Sequence, residues 1–134
     1  VTTYSVTATV TSTSIPLHNG DFMLVSSGGV AISTMVSSGG EIIVSSGGVT
    51  SFTQVSKGGM EAISSAGAVT STTVSSGGFE TVSSGGTASD TTLDGGTQDF
   101  YLGGSALSTT VNSGGFQTIS SFGSGFDTVV NSGG

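Results

Sequence analysis

Gly-Gly pairs punctuate this chain at two alternating intervals, and that spacing limits its fold more than any other feature. The pairs begin at Gly28, Gly39, Gly47, Gly58, Gly77, Gly85, Gly95, Gly103, Gly114 and Gly133, with degenerate versions at Ala66-Gly67 and Phe122-Gly123. The steps between them are 11, 8, 11, 8, 11, 8, 10, 8, 11, 8 and 11 residues. An 8-residue and an 11-residue segment therefore sum to a 19-residue unit, interrupted by a single deletion before Gly95. With 24 Gly in 134 residues and Ser plus Thr above a third, the composition alone fits a flexible linker. The strict period argues against that, because self-similarity at a fixed spacing is the signature of a stacked repeat architecture.

Aligned on the glycines, the repeats form columns. One apolar column reads Val25, Val44, Ile63, Val82, Phe100, Ile119, and a second reads Val36, Val55, Val74, Leu93, Val111, Val130. Two residues before the second column stands Thr34, Thr53, Thr72, Thr91, Thr109, Thr128. A spacing of two places the Thr and Val columns on one face of a strand. The column between them (Met35, Gln54, Thr73, Thr92, Thr110, Val129) faces the other way and is mostly polar.

The segments are too short, and too rich in Gly, Val and Thr, to be helices. Glycine supplies the positive φ that a sharp corner needs. Nineteen residues hold about three short strands and three corners, and strands of successive coils stack at roughly 4.8 Å. The expected fold is all-β: a right-handed parallel β-solenoid of about six coils over residues 21–134, with inward Val/Ile ladders. An inward Thr file is expected to pass hydrogen bonds from hydroxyl to hydroxyl along the axis. Residues 1–20 lie outside the repeat. Val6, Ala8 and Val10 alternate with Thr, which predicts one N-terminal cap strand, followed by a turn at Pro16 and Asn19-Gly20. A start at Val1 without Met and a stop at Gly134, at the close of a repeat, suggest a trimmed fragment truncated at its C-terminal end.

Charge narrows the function. Lys57 is the single basic side chain against eight carboxylates, for a net charge of −7. Binding nucleic acid takes clustered cations, so that partner is not expected. Membrane insertion of this segment is not expected either, because no apolar run approaches ~20 residues. No Cys is present for disulfides or thiolate metal sites. His18, the only histidine, sits in a turn, and no G-x-S-x-G elbow is present, so no catalytic residue and no enzyme activity is expected. Glu61 and Glu80 share a column with Gln98 and Gln117, which stacks the two carboxyls near ~5 Å, but nothing there recruits a substrate. Asp90, Asp94 and Asp99 cluster once without recurring, unlike the calcium-binding β-roll, so no metal and no cofactor is assigned.

The corner serines stand out. Val-Ser-Ser-Gly-Gly or a close variant recurs, and Asn112-Ser113 and Asn131-Ser132 occupy equivalent corners. Ser and Asn there can satisfy turn backbone groups, or the exposed hydroxyls can serve a transferase as acceptors. Residues 74–91, Val-x-Ser-Gly-Gly-Phe-x-Thr-Val-Ser-Ser-Gly-Gly-x-Ala-x-x-Thr, resemble the 19-residue repeat of self-associating autotransporter adhesins of the diffuse-adherence and TibA type. The resemblance covers residues 21–134. It implies export to the bacterial cell surface, adhesion, autoaggregation and biofilm formation, with other copies of the chain and the host cell surface as partners. It also implies a cytoplasmic heptosyltransferase that modifies Ser and Thr side chains before export. Carried onto this sequence, the candidate acceptors are Ser26, Ser27, Ser37, Ser38, Ser45, Ser46, Ser64, Ser65, Ser75, Ser76, Ser83, Ser84, Ser113, Ser120, Ser121 and Ser132. Lys57 and the deletion before Gly95 depart from the pattern.

Two rival readings use the same fold. An ice-binding solenoid needs a flat outward array of Thr in two files, whereas the regular Thr file here shares the face of Val. A polysaccharide-binding or depolymerising β-helix needs aromatic subsites, and this chain has no Trp and only Tyr4 and Tyr101.

Overall fold

A computed structural model describes residues 1–8 and 10–134, and every element in it is a strand. The strands form three parallel sheets of seven. The first sheet contains Thr3–Val6, Phe22–Val25, Glu41–Val44, Met60–Ile63, Phe79–Val82, Thr97–Phe100 and Phe116–Ile119. The second contains Thr11–Thr13, Val30–Ile32, Val49–Ser51, Ala68–Thr70, Thr87–Ser89, Ser105–Leu107 and Ser124–Phe126. The third contains Pro16–Leu17, Met35–Val36, Gln54–Val55, Thr73–Ser75, Thr92–Asp94, Thr110–Val111 and Val129–Val130. The chain visits the sheets in turn and pairs each strand with its counterpart about 19 residues on, as in Ile63 with Val82. The result is a β-solenoid of seven coils, roughly 30 Å long at ~4.8 Å per coil.

The alternation of each strand builds the core. Val25, Val44, Ile63, Val82 and Phe100 form one buried file, and Val36, Val55, Val74, Leu93 and Val111 another. Burying each Val or Ile is worth roughly 1.5–3 kcal/mol over leaving it exposed. The facing file of the second sheet is small (Ala31, Thr50, Val69, Ala88, Ala106). That leaves room for the long side chains of Met23, Ile42, Glu61, Glu80 and Gln98 reaching across from the first sheet. The deletion before Gly95 is absorbed in a corner, because the strands on either side keep register: Val74 pairs with Leu93 and Phe79 with Thr97.

Three expectations change. Residues 1–20 do not make a lone cap strand. Thr3–Val6, Thr11–Thr13 and Pro16–Leu17 each join one of the three sheets and make a full first coil, which is why there are seven coils rather than six. The strand expected through Val10 ends at Val6, and Thr9 lies outside the described residues. Asn19-Gly20 does turn into the next coil, but Pro16 is a strand residue. Ile119 and Val130, read as core, are half exposed because the last coil has a neighbour on one side only. The Thr file is inward, with Thr34, Thr53, Thr72, Thr91 and Thr109 each 1% exposed. Its hydroxyls nevertheless do not chain along the axis. Thr72, Thr109 and Thr128 instead donate to the Glu/Gln side chain eleven residues before each of them, because those long polar groups extend to the third sheet.

Candidate functional site

Each coil turns three corners. At the first, between the first and second sheets, the carbonyl of Ser26 accepts from the N–H of Gly29 at 2.9 Å. The two residues between have positive φ, 52° at Ser27 and 79° at Gly28, the pattern of a type I′ turn. Ser46, Ser65, Ser84, Leu102 and Ser121 repeat this conformation. The corners are stitched along the rod, as Ser27 N–H donates to Ser46 C=O and Ser46 N–H to Ser65 C=O. The third corner, between the third and first sheets, begins the same way at Asn19 and Ser38 and then changes. From Gly58 onward only its glycine has positive φ, the pattern of a type II turn.

This geometry separates the two serines of each pair. The first is half buried at Ser26, Ser37, Ser45, Ser64, Ser75 and Ser83. The second is exposed in every case: Ser27, Ser38, Ser46, Ser65, Ser76 and Ser84, with Ser113 and Ser132 at the same position. In the last first-corner pair both Ser120 and Ser121 are exposed, and Ser120 Oγ donates to the Phe100 carbonyl. Two rows of exposed hydroxyls thus run along two edges of the rod. The first row is broken by Leu102, and the second by Asn19, Lys57 and the tightened corner at Asp94.

The second corner has no glycine pair, and reading the glycines missed it. It turns on one residue with positive φ: Ser14, Ser33, Phe52, Ser71, Asp90, Ser108 or Asp127. The available signal was the residue just before the Thr column, which is Ser or Asp at five of six repeats from Ser33 to Asp127.

The other sequence candidates do not converge on a reactive centre. His18 is exposed, with Nδ1 3.7 Å from Asp21 Oδ2. The backbone N–H of Thr2 donates to Asp21 Oδ1 at 2.6 Å and holds that carboxyl below its ordinary range, against the opposing effect of burial. Asp90 lies at a corner, Asp94 ends a strand of the third sheet and Asp99 lies in the first sheet. Among the described residues no three such side chains could hold a metal. Glu61 and Glu80 stack as expected, paired across adjacent strands, but inside the core and fully buried. Burial pushes Glu61 up to about 7, against the donated bonds of Thr50 and Thr72. Burial and then the neighbouring Glu61 charge push Glu80 up to about 8.

The sequence matches a family described as "Adhesin of bacterial autotransporter system, probable stalk" over residues 2–59 and 27–78, together more than half of the chain. The chain belongs to this adhesin stalk family. No curated protein matches the stalk in sequence. Among solved structures, the crystal structure of a TibC-catalyzed hyper-glycosylated TibA fragment is similar, at 43% identity and a TM-score of 0.97. The match covers 98% of this stalk and 48% of that chain, so the stalk spans about half the length of the solved fragment. A repetitive solenoid in a family of adhesin stalks is a structural element, not an enzyme.

Proposed function

We propose that this stalk is a surface rod that carries rows of O-linked sugars on its corner serines and holds bacterial cells to one another and to host surfaces. The observation that carries the reading is the exposed second serine of each corner pair, repeated at one coil's rise along two edges. A transferase that fits one such corner meets the same local shape at the next. The adjacent glycine adds no side-chain bulk, as at Gly28, Gly47 and Gly85, where even an added Cβ would touch nothing. The net charge of −7 suits a basic enzyme groove, since opposite potentials speed encounter. The similar fragment whose fold this chain shares is itself hyper-glycosylated.

In this reading a cytoplasmic protein heptosyltransferase modifies the serines before export. Ser27, Ser38, Ser46, Ser65, Ser76, Ser84, Ser113, Ser121 and Ser132 are the principal acceptors, and the half-buried first serines are poorer ones. The sugars hydrate the edges and shield the corners from proteases. Adhesion, autoaggregation and biofilm formation follow from copies on neighbouring cells meeting along the rods. Co-expression of the chain with such a transferase tests the acceptor role: intact mass increases by several sugar units. An unshifted mass contradicts it. Cell-surface display with and without the transferase tests adhesion, with clumping of cells as the readout. An ice-binding role is disfavoured because the regular Thr file lies inside.

A further inference from the structure

Neither a stalk nor a sugar acceptor needs the buried Glu61–Glu80 pair. The two residues are Cα partners in neighbouring strands, both are fully buried, and Lys57, the only cation on a side chain, is exposed at a corner. Polar bonds support the column unevenly. Glu61 accepts from Thr50 at 2.9 Å and from Thr72 at 3.0 Å. Gln98 accepts from Thr109 at 3.2 Å, and Gln117 from Thr128 at 3.0 Å. The equivalent pair, Thr91 and Glu80, face each other without reaching hydrogen-bond geometry, so Thr91 favours the Glu80 carboxylate only weakly. Thr91 Oγ1 and Glu80 Oε1 are both buried without a partner, and Glu80 keeps only the bond that Gln98 donates to Oε2 at 2.7 Å. An ionised carboxylate cannot donate, so Glu80 as an anion would bring a second uncompensated charge next to Glu61. A proton on Glu80 removes that charge and lets its carboxyl donate as well as accept.

We propose that Glu61 and Glu80 form a proton-dependent joint in the rod, holding the coils of residues 60–96 together when protonated and loosening them when the protons leave. Deprotonation breaks a carboxyl O–H bond; the proton passes to water or hydroxide as the coil opens, and a carboxylate stays behind. No cation faces the pair, and the hydroxyl and amide bonds it accepts only partly offset the charge. Thr50, Val69 and Ala88 face it from the second sheet, Thr53, Thr72 and Thr91 from the side of the third, and Ile42 and Gln98 flank it along the column; none of them titrates. The raised values of both groups agree in direction. A carboxyl whose value is higher folded than unfolded binds more protons in the folded state, so stability is full below the unfolded value of 4.5 and falls as pH rises to about 7 for Glu61 and about 8 for Glu80. Within that window the folding equilibrium weakens by up to ~10-fold per pH unit for each group. Asp21, held low, acts only at more acidic pH.

Thermal unfolding of the whole chain from pH ~5 to ~8.5, followed by circular dichroism, tests the joint in the wild type, Glu80→Gln and Glu61→Gln/Glu80→Gln, a range chosen to span both windows. Glutamine already occupies this column at Gln98 and Gln117, so the variants are built to fold. The wild-type midpoint is expected to fall steadily as pH rises. The double variant is expected to keep only the shallow slope due to net charge and to be more stable than wild type at the alkaline end. An identical slope in wild type and double variant overturns the proposal. A carboxyl 13C titration of the wild type gives a second reading that needs no variant: Glu80 titrating in the ordinary carboxylate range overturns it, and Glu80 titrating above neutrality supports it.

Discussion

Gly47 and Gly48 stand side by side at a corner and do different work. Gly47 has φ of 77° and open space around it, so its role is conformational. At Gly48 φ is not positive, but a Cβ would lie 2.2 Å from the carbonyl oxygen of Val25 in the preceding coil, so its role is close approach. The degenerate pairs follow the same division: Ala66 and Phe122 replace the first glycine at φ of 62° and 70°, while Gly67 and Gly123 are kept. Gly47→Ala should therefore cost about 1–2 kcal/mol, the usual penalty of a left-handed alanine. Gly48→Ala should cost about 3 kcal/mol or more, because backbone must move. Urea denaturation of the two variants checks the order, and equal costs would contradict the assignment. The pairs could be read from sequence as corners, but not the difference between their members, which depends on a carbonyl about two dozen residues earlier. The second corner was only faintly legible, in the Ser or Asp that precedes the Thr column at five of six repeats. A lone serine with positive φ, such as Ser33 or Ser108, leaves no pattern as strong as a glycine pair.

Among the elements, the apolar files were the most legible part, because a period of two within a period of 19 leaves one arrangement that buries Val and turns Gln54 and Thr73 outward. Val82 has neighbours above and below and is fully buried. Val82→Asp should cost about 3–5 kcal/mol by burying a charge without a partner, and a variant that melts with wild type would rule out this core. The Thr file was legible as inward, but its bonding was not: the partner of Thr72 is Glu61, in a different sheet, not the next threonine along the axis. Thr72→Val removes that donor and should destabilise the rod by about 1–2 kcal/mol. Since the bond favours the carboxylate, the loss should be greater at pH ~8 than at ~5, where Glu61 is protonated. Paired melts at the two pH values measure this, and an equal loss at both would show that the bond does not discriminate between the protonation states.

For the whole molecule, stacking converts a local motif into a surface. One Ser-Ser-Gly-Gly corner is a turn; seven coils make edges along which the second serine recurs in line, with flat sheets between them. The N-terminal coil was illegible because Thr11–Thr13 and Pro16–Leu17 carry no glycine signature, yet backbone pairing brings them into register with Val30–Ile32 and Met35–Val36. The proposed function rests on those edges, and site-resolved mass spectrometry of chain co-expressed with a protein heptosyltransferase tests that most directly. Sugars are expected chiefly on Ser27, Ser46, Ser65 and Ser84 along one edge and on Ser38, Ser76 and Ser113 along the other, with lower occupancy at the half-buried Ser26, Ser45, Ser64 and Ser83. Sugars concentrated on the buried Thr53, Thr72 and Thr91, or none at all, would contradict it.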